Sequence, residues 1–208
     1  YEMQRSLVGS EMCIRDRNRI LPYLKNLDEK ANDLKKLYAN KKILLFVGRL
    51  IDVKNLPMLL QAYKNLQDKY HLVIVGDGEK KEELQHLSQE LNIDVQFVGK
   101  QEGDNLYRWY KIADIFILPS YREAFGAVVN EALLAGCLCI VSKNAGSSCL
   151  IEEGVNGYTF NPYSIEDLIQ CIEKCRQIPV ISPKTSKMQV SFVERMNNLI
   201  DKLTTSKQ

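Results

Sequence analysis

Two cations and two carboxylates follow apolar runs of the sequence, where side chains could bind a charged, hydroxyl-bearing ligand. Arg49 and Lys54 both follow an apolar run, and they offer a guanidinium fork and a point charge to a diphosphate. Glu123 and Glu131 lie eight positions apart after a later apolar run. On a helix, that spacing separates them by roughly 12 Å along the axis. Each carboxylate can accept hydrogen bonds from neighbouring hydroxyls, Glu131 from a ribose and Glu123 from a second sugar, so the four residues predict recognition of a nucleotide-sugar.

The residues between the two glutamates predict an anion site. Gly126 is expected to open a helix whose first amides can hold a phosphate, and the small Ala124 and Ala127 let a ligand approach the backbone. The helix that carries Glu131 is apolar over much of its circumference, so a carboxylate on it needs a partner. Two plainer interpretations stay open. Arg49 and Lys54 could be solvated surface charges, and Glu131 could lie on a solvated face of its helix.

Short apolar runs alternate with amphipathic segments along the chain. The predicted strands are 43–47, 72–75, 95–98, 115–118, 138–141 and 157–160. The predicted helices are 27–37, 56–66, 79–91, 105–112, 125–135, a segment from Ser164, and 187–203. This alternation predicts a doubly wound α/β fold with a six-stranded, parallel, Rossmann-like sheet. Such sheets bind ligands beyond the carboxyl ends of their strands, where Arg49 and Glu123 fall.

Composition and charge argue against several other classes. The 208 residues are 45% hydrophobic and carry a formal net charge of +2 without long runs of one sign, so a nucleic-acid interface is not indicated. Apolar runs stay well below the roughly 20 residues that a transmembrane helix needs. The six cysteines form no Cys-x-x-Cys pair, and four lie in apolar segments. They predict reduced core thiols, no metal site and a cytoplasmic location.

The pair Gly76 and Gly78 invites a dinucleotide-binding interpretation. It follows the second predicted strand, however, and lacks both the third glycine and an acidic residue at the proper distance. The first strand, where such a fingerprint belongs, is followed only by Gly48. We interpret the pair as a turn, and an oxidoreductase is disfavoured.

Several motifs in fixed order resemble the donor-binding domain of group 1, or family 4, retaining glycosyltransferases, in which two Rossmann-like domains face a cleft (the GT-B fold). The motifs are Phe46–Leu50 with Lys54–Asn55, Val73–Gly78, Phe97–Gly99, Ala113–Asp114, Pro119–Ser120, Glu123–Gly126, Glu131–Ala132, Ala135–Gly136, and Glu153–Gly154 with Asn156–Gly157. They cover residues 41–178, and the ordered set is far more specific than any single motif.

The resemblance implies a donor site. Its expected residues are Gly48, Arg49, Lys54, Phe125, Gly126, Ala127 and Glu131. Arg49 and Lys54 would contact the diphosphate, Glu131 the ribose, and Glu123 the transferred sugar. The implied reaction is a retaining transfer, with Glu123, Arg49 and Lys54 as catalytic residues. It needs no metal or other cofactor, and the departing phosphate often takes the proton.

The chain is expected to divide into four parts. Residues 1–17 resemble translated sequencing-adaptor read-through and are expected to lie outside the fold. Residues 18–40 would form an interdomain linker and helix, 41–183 the nucleotide-sugar-binding domain, and 184–208 a carboxyl-terminal helix and tail.

Family members also carry an amino-terminal acceptor-binding domain, which nothing here matches. The chain is therefore expected to be the donor-binding half of a longer enzyme and inactive alone. The full enzyme would act on a glycan or lipid-linked acceptor, with peripheral association at the inner face of the membrane.

Two other functions stay open. One is a stand-alone nucleotide-sugar-binding subunit that needs a separate acceptor subunit. The other is an isomerase like the nucleotide-sugar 2-epimerases, which share the two-domain architecture. An upstream reading frame coding for another α/β domain would argue against the separate subunit, and release of free nucleotide on turnover would argue against the isomerase.

Overall fold

Runs of Val, Ile, Leu and Phe form the inner strands of the sheet, which are buried on both faces, so these strands need no polar alternation. The computed structural model describes residues 28–38 and 41–178. The strands are β1 Lys42–Val47, β2 Tyr70–Val75, β3 Val95–Gly99, β4 Ile115–Leu118, β5 Leu138–Ser142 and β6 Gly157–Phe160. Neighbouring strands are all parallel, in the order β3-β2-β1-β4-β5-β6. The predicted fold class is confirmed.

Helices cover both faces of the sheet within the described residues. They are α1 Asp28–Lys36, α2 Leu56–Tyr63, α3 Lys81–Glu90, α4 Gly103–Ile112, α5 Val128–Ala135 and α6 Ile165–Cys175. Two short 3-10 helices, Asp52–Lys54 and Gly146–Leu150, follow β1 and β5. One apolar core joins the sheet to α1, α4 and α5, and a second joins it to α2, α3 and α6.

Asp114 joins β1 to β4 at the amino ends of the two strands. Its Oδ2 accepts a hydrogen bond from the Ile43 N–H at 2.9 Å, and its own N–H donates to the Ile43 carbonyl at 3.1 Å. The strand order reverses between β1 and β4. Their carboxyl ends therefore open the crevice in which doubly wound sheets bind ligands.

Parts of the predicted organisation lie outside the described residues. These parts are the segment 1–17, the helix predicted at 187–203 and the tail 184–208. The predicted domain limits stay predictions. No helix in the described ranges is long and apolar enough to cross a membrane.

Candidate functional site at the β1–β4 crevice

The loop after β1 is bonded to the loop after β2. The Gly48 N–H donates to the Val75 carbonyl at 3.0 Å, and the Leu50 N–H donates to the Asp77 carbonyl at 2.9 Å. A Cβ atom on Gly76 would lie 1.8 Å from the Gly48 carbonyl oxygen, so only glycine permits this approach. Gly76 therefore has the structural role that the turn interpretation predicts, and Gly48 begins the loop at the edge of the crevice.

The two predicted cations lie in different surroundings. Arg49 is exposed and makes no ion pair with residues 28–38 or 41–178. Lys54 ends the first 3-10 helix, and its Nζ donates to Oε2 of Glu123 in an ion pair. The two side chains of that pair are only 14% and 18% exposed. Lys54 is therefore not a solvated surface charge, whereas for Arg49 that interpretation stays open.

Asn55 holds the Lys54 segment against the end of β4. It adopts the left-handed conformation with φ 54°, which asparagine tolerates better than most residues. Its buried Nδ2 donates to the carbonyls of Pro119 at 3.2 Å and Pro162 at 2.9 Å. The Tyr121 N–H adds a bond to the Val53 carbonyl at 2.9 Å. The sequence places Asn55 in a motif but assigns it no role. The signal that could have indicated its role is that asparagine tolerates a positive φ better than most residues.

Gly126 shapes the loop that carries Glu123, and it lies outside the helix it was expected to open. Its φ is 88°, and a Cβ there would lie 2.9 Å from both Leu118 Cδ2 and Ser147 Oγ. Because this left-handed residue interrupts the helical conformation, α5 begins at Val128 and the predicted start at 125 is wrong. Glu123 lies before the helix, so the predicted helical separation of the two glutamates does not apply.

The amino end of α5 still offers donors for an anion. The N–H groups of Gly126, Ala127 and Val128 donate to no backbone carbonyl in the described residues, and no side chain caps the helix. Phe125 lies just before them, partly buried, and its carbonyl accepts from the Ser147 N–H at 2.7 Å. Unpaired amides at the positive end of a helix dipole suit a phosphate.

Glu131 lies in the first turn of α5 and has the partner that its apolar helix predicted. The hydroxyl of Tyr110, on α4, donates to Glu131 Oε2 at 2.9 Å. Tyr110 is fully buried, so Glu131 does not lie on a wholly solvated helix face. Burial, together with the charge and hydrogen bond of Glu131, raises the pKa of the Tyr110 hydroxyl well above its usual range.

The arrangement suits an anionic ligand bound by cations and amides. In residues 28–38 and 41–178, no three His, Cys, Asp or Glu side chains are grouped to hold a metal ion. Binding without a metal stays a prediction, as do the individual roles of the candidate residues.

Fold and crevice together define the class, since a parallel sheet in this order with amides at its reversal point is typical of nucleotide-binding α/β domains. The chain belongs to the family described as "Glycosyl transferases group 1", whose sequence profile matches residues 28–191. The resemblance seen in the motifs is thereby confirmed.

Individual relatives agree with this membership. The lipopolysaccharide 1,2-N-acetylglucosaminetransferase of Salmonella typhimurium is 30% identical over 207 residues, which covers 86% of this chain and 54% of that protein. The lipopolysaccharide outer core galactosyltransferase WaaB, in its apo form, matches with a TM-score of 0.67 at 25% identity, over 80% of this chain and 50% of its own. Anabaena Alr3699/HepE in complex with UDP and glucose matches in fold, with a TM-score of 0.68 at 22% identity, over 86% and 52%. The chain thus spans about half the length of these relatives.

Proposed function

We propose that the chain forms the donor-binding part of a retaining glycosyltransferase that moves a sugar from a nucleotide diphosphate sugar to a glycan or glycolipid acceptor. One observation carries the proposal. The Lys54–Glu123 ion pair joins the loops after β1 and β4, and the loop that carries Glu123 leads directly to the amides of residues 126–128, which donate to no backbone carbonyl in the described part of the chain. Two relatives are named for lipopolysaccharide transfer, and one was solved with UDP and glucose, which supports a sugar nucleotide and a glycolipid.

In the proposed complex, the diphosphate occupies the amide cradle of residues 126–128. Lys54 exchanges the Glu123 carboxylate for a phosphate oxygen, and Arg49 adds a second cation. Amides and cations then stabilise the negative charge that develops as the nucleoside diphosphate departs. This electrostatic role is why we propose no metal or other cofactor.

The proposed transfer proceeds with retention. Glu123, released by Lys54, accepts hydrogen bonds from hydroxyls of the transferred sugar, and Glu131 accepts them from the ribose. The bond between the anomeric carbon and the β-phosphate oxygen breaks. The acceptor hydroxyl oxygen bonds to that carbon from the face the nucleotide leaves, and its proton passes to the departing phosphate. The acceptor is bound by a second domain like those of the two-domain relatives.

The proposed setting is the cytoplasm, with the complete enzyme working against a membrane face when its acceptor is a lipid. Reduced thiols support this setting, since Cys137, Cys139, Cys171 and Cys175 are all buried and unbridged.

A thermal-shift screen of the whole chain against UDP-, GDP- and ADP-sugars, with NAD as the non-sugar control, tests the proposal. A ligand that binds only the native state raises the unfolding temperature, by about 5 °C or more at a concentration near 100 times its Kd. We expect a rise with at least one sugar nucleotide and none with NAD.

Two variants make the screen specific. Glu131→Ala should cut the rise to about half or less, because binding about tenfold weaker lowers the stabilisation at the same concentration from about 2.7 to about 1.4 kcal/mol. It should also lower the unligated unfolding temperature, because the buried Tyr110 hydroxyl loses its acceptor. The matched control Glu82→Ala removes an exposed helical glutamate on α3 and should leave the rise intact. A rise that Glu131→Ala leaves at its full size, or a folded chain that responds to NAD alone, would contradict the proposal. In the complete enzyme, release of free nucleoside diphosphate on turnover distinguishes transfer from isomerisation.

A further inference from the structure

The carboxylate of Glu131 is held by a residue from another helix. Its neighbours on α5, Val129, Ala132 and Leu133, are at most 2% exposed, so the carboxylate lies at the edge of an apolar surface. At that edge its Oε2 accepts the hydrogen bond from the Tyr110 hydroxyl at 2.9 Å. A carboxylate has about four acceptor positions, and the bond from Tyr110 occupies one of them.

Tyr110 is itself fixed in place. It is fully buried, and its ring packs 5.9 Å from the Phe116 ring and 6.5 Å from the Tyr107 ring between centroids. Its backbone carbonyl accepts a hydrogen bond from Cys137 Sγ at 3.1 Å. A tyrosine held on several sides keeps its hydroxyl at one point in space, and through it the orientation of whatever accepts the hydrogen bond.

We propose that Tyr110 is a positioning residue for donor binding, which holds the Glu131 carboxylate in the orientation that accepts the ribose hydroxyls and so sets the preference for ribose over 2′-deoxyribose. The inference rests on the proposed function, because it needs Glu131 to contact the ribose. Tyr110 acts through Glu131 and does not itself touch the ligand. The Tyr110 hydroxyl is buried, so it cannot form a hydrogen bond with the ribose itself. Its contribution is to hold the Glu131 carboxylate in one orientation.

The test removes one oxygen atom. Tyr110→Phe keeps the buried ring but loses the donor to Glu131. We expect it to weaken binding of UDP about tenfold while changing the affinity for 2′-deoxy-UDP little, so that the ratio of the two dissociation constants falls toward one. Isothermal titration calorimetry with UDP and 2′-deoxy-UDP measures the ratio, and GDP or ADP pairs replace them if the screen selects another base.

Tyr63→Phe is the matched control. Tyr63 is also a buried tyrosine, 1% exposed, and its hydroxyl donates to the Tyr70 carbonyl at 3.1 Å in the core on the opposite face of the sheet. Removing its hydroxyl costs a buried hydrogen bond of similar length but should leave the ribose preference of the parent unchanged. A loss of preference in both variants would show a general loosening of the fold and overturn the inference.

Glu131→Ala separates the two ways to fail. If it keeps the parental ribose preference, Glu131 does not read the ribose and the proposed donor site is wrong. If it abolishes the preference while Tyr110→Phe retains it, the donor site stands and the positioning role of Tyr110 is overturned. Collapse of the preference in both, with Tyr63→Phe unaffected, is the expected result.

Discussion

The two glutamates of the crevice are held in opposite ways. Glu123 lies on an irregular loop and forms an ion pair with Lys54, 69 positions away in the sequence. Glu131 lies on a regular helix and accepts a hydrogen bond from the neutral, buried Tyr110. A charged partner at a partly open site can be displaced by a ligand that carries more charge, whereas a buried neutral partner cannot. The loop is therefore suited to change partners on binding, and the helix is suited to keep its carboxylate still.

The Lys54–Glu123 ion pair should also cost less to break than the Tyr110–Glu131 hydrogen bond. An ion pair with residual exposure contributes modestly to stability because water screens it and two flexible side chains must be ordered. Breaking the tyrosine contact leaves a buried hydroxyl without a partner, which costs about 1–3 kcal/mol. Four predictions test how far this contrast extends, and they run from the largest expected effect to the smallest.

The conformation of the loops that carry Lys54 and Glu123 depends most on Asn55. Asn55→Ala removes the amide that bonds to the Pro119 and Pro162 carbonyls and places a less tolerant residue at φ 54°. We expect a loss of about 3 kcal/mol in the free energy of unfolding, from two buried carbonyls losing a donor plus backbone strain. Chemical denaturation measures it. Asn92→Ala is the control, an exposed asparagine with φ 53°, and should cost only about 1 kcal/mol. Equal losses of unfolding free energy in the two variants would show that the hydrogen bonds of Asn55 to Pro119 and Pro162 contribute nothing.

The junction between loop and helix depends on Gly126. Gly126→Ala adds a Cβ 2.9 Å from Leu118 and Ser147 atoms at a φ of 88°. Strain and overpacking together should lower the free energy of unfolding by about 2 kcal/mol, and donor affinity should fall as well because the cradle shifts. Gly99→Ala meets nothing within 4 Å at a similar φ of 81°, so it isolates the backbone strain. A Gly126 variant no less stable than the Gly99 variant would contradict the packing argument.

Neutralising each glutamate should change affinity for UDP in opposite directions. Glu123→Gln frees Lys54 from its ion pair, so UDP, which lacks the sugar, should bind several-fold more tightly. Glu131→Gln should weaken UDP binding about tenfold, or about 1.4 kcal/mol, because the proposed complex then loses the carboxylate that accepts from the ribose. Calorimetric titration of both variants decides the point. Weaker binding in both would mean that Glu123 and Lys54 do not exchange partners.

The core behind Glu131 should make stability sensitive to alkaline pH. Burial, aided by the negative charge of Asp114, raises the pKa of Cys137 to about 12. Unfolded, the thiol ionises near its ordinary value, so above about pH 9 the unfolded state binds fewer protons than the folded state and stability falls as pH rises. The stabilisation is complete below that ordinary value and is lost progressively toward the folded pKa. Denaturation midpoints in reductant at about pH 8 and about pH 10 measure the slope. Cys137→Ala should reduce the slope only in part, because burial also raises the pKa of Cys139, Cys171 and Cys175. An unchanged slope would assign the effect to other groups.

Much of this organisation can be predicted from local patterns. The apolar runs around Leu44 and Ile117 are short and uninterrupted, and they alternate with amphipathic segments, so the parallel sheet and its helices follow from the sequence. Helix starts are harder to predict, because glycine adopts either helical or left-handed conformation, and the packing of the loops around Gly126 selects its φ of 88°. The glutamates and cations are predictable as candidates from residue type and from their place after strands, whereas their contacts are not.

The sequence by itself determined the fold class, the family, and the placing of Arg49, Lys54 and Glu123 beyond strand ends, because burial patterns and residue chemistry are local properties. Only the tertiary structure decided that Lys54 meets Glu123, that Asn55 bridges three loops, and that Tyr110 reaches Glu131 from another helix. These pairings depend on the strand order and on loop conformations with positive φ. Both are set by how distant segments pack, and no periodicity within one segment records them.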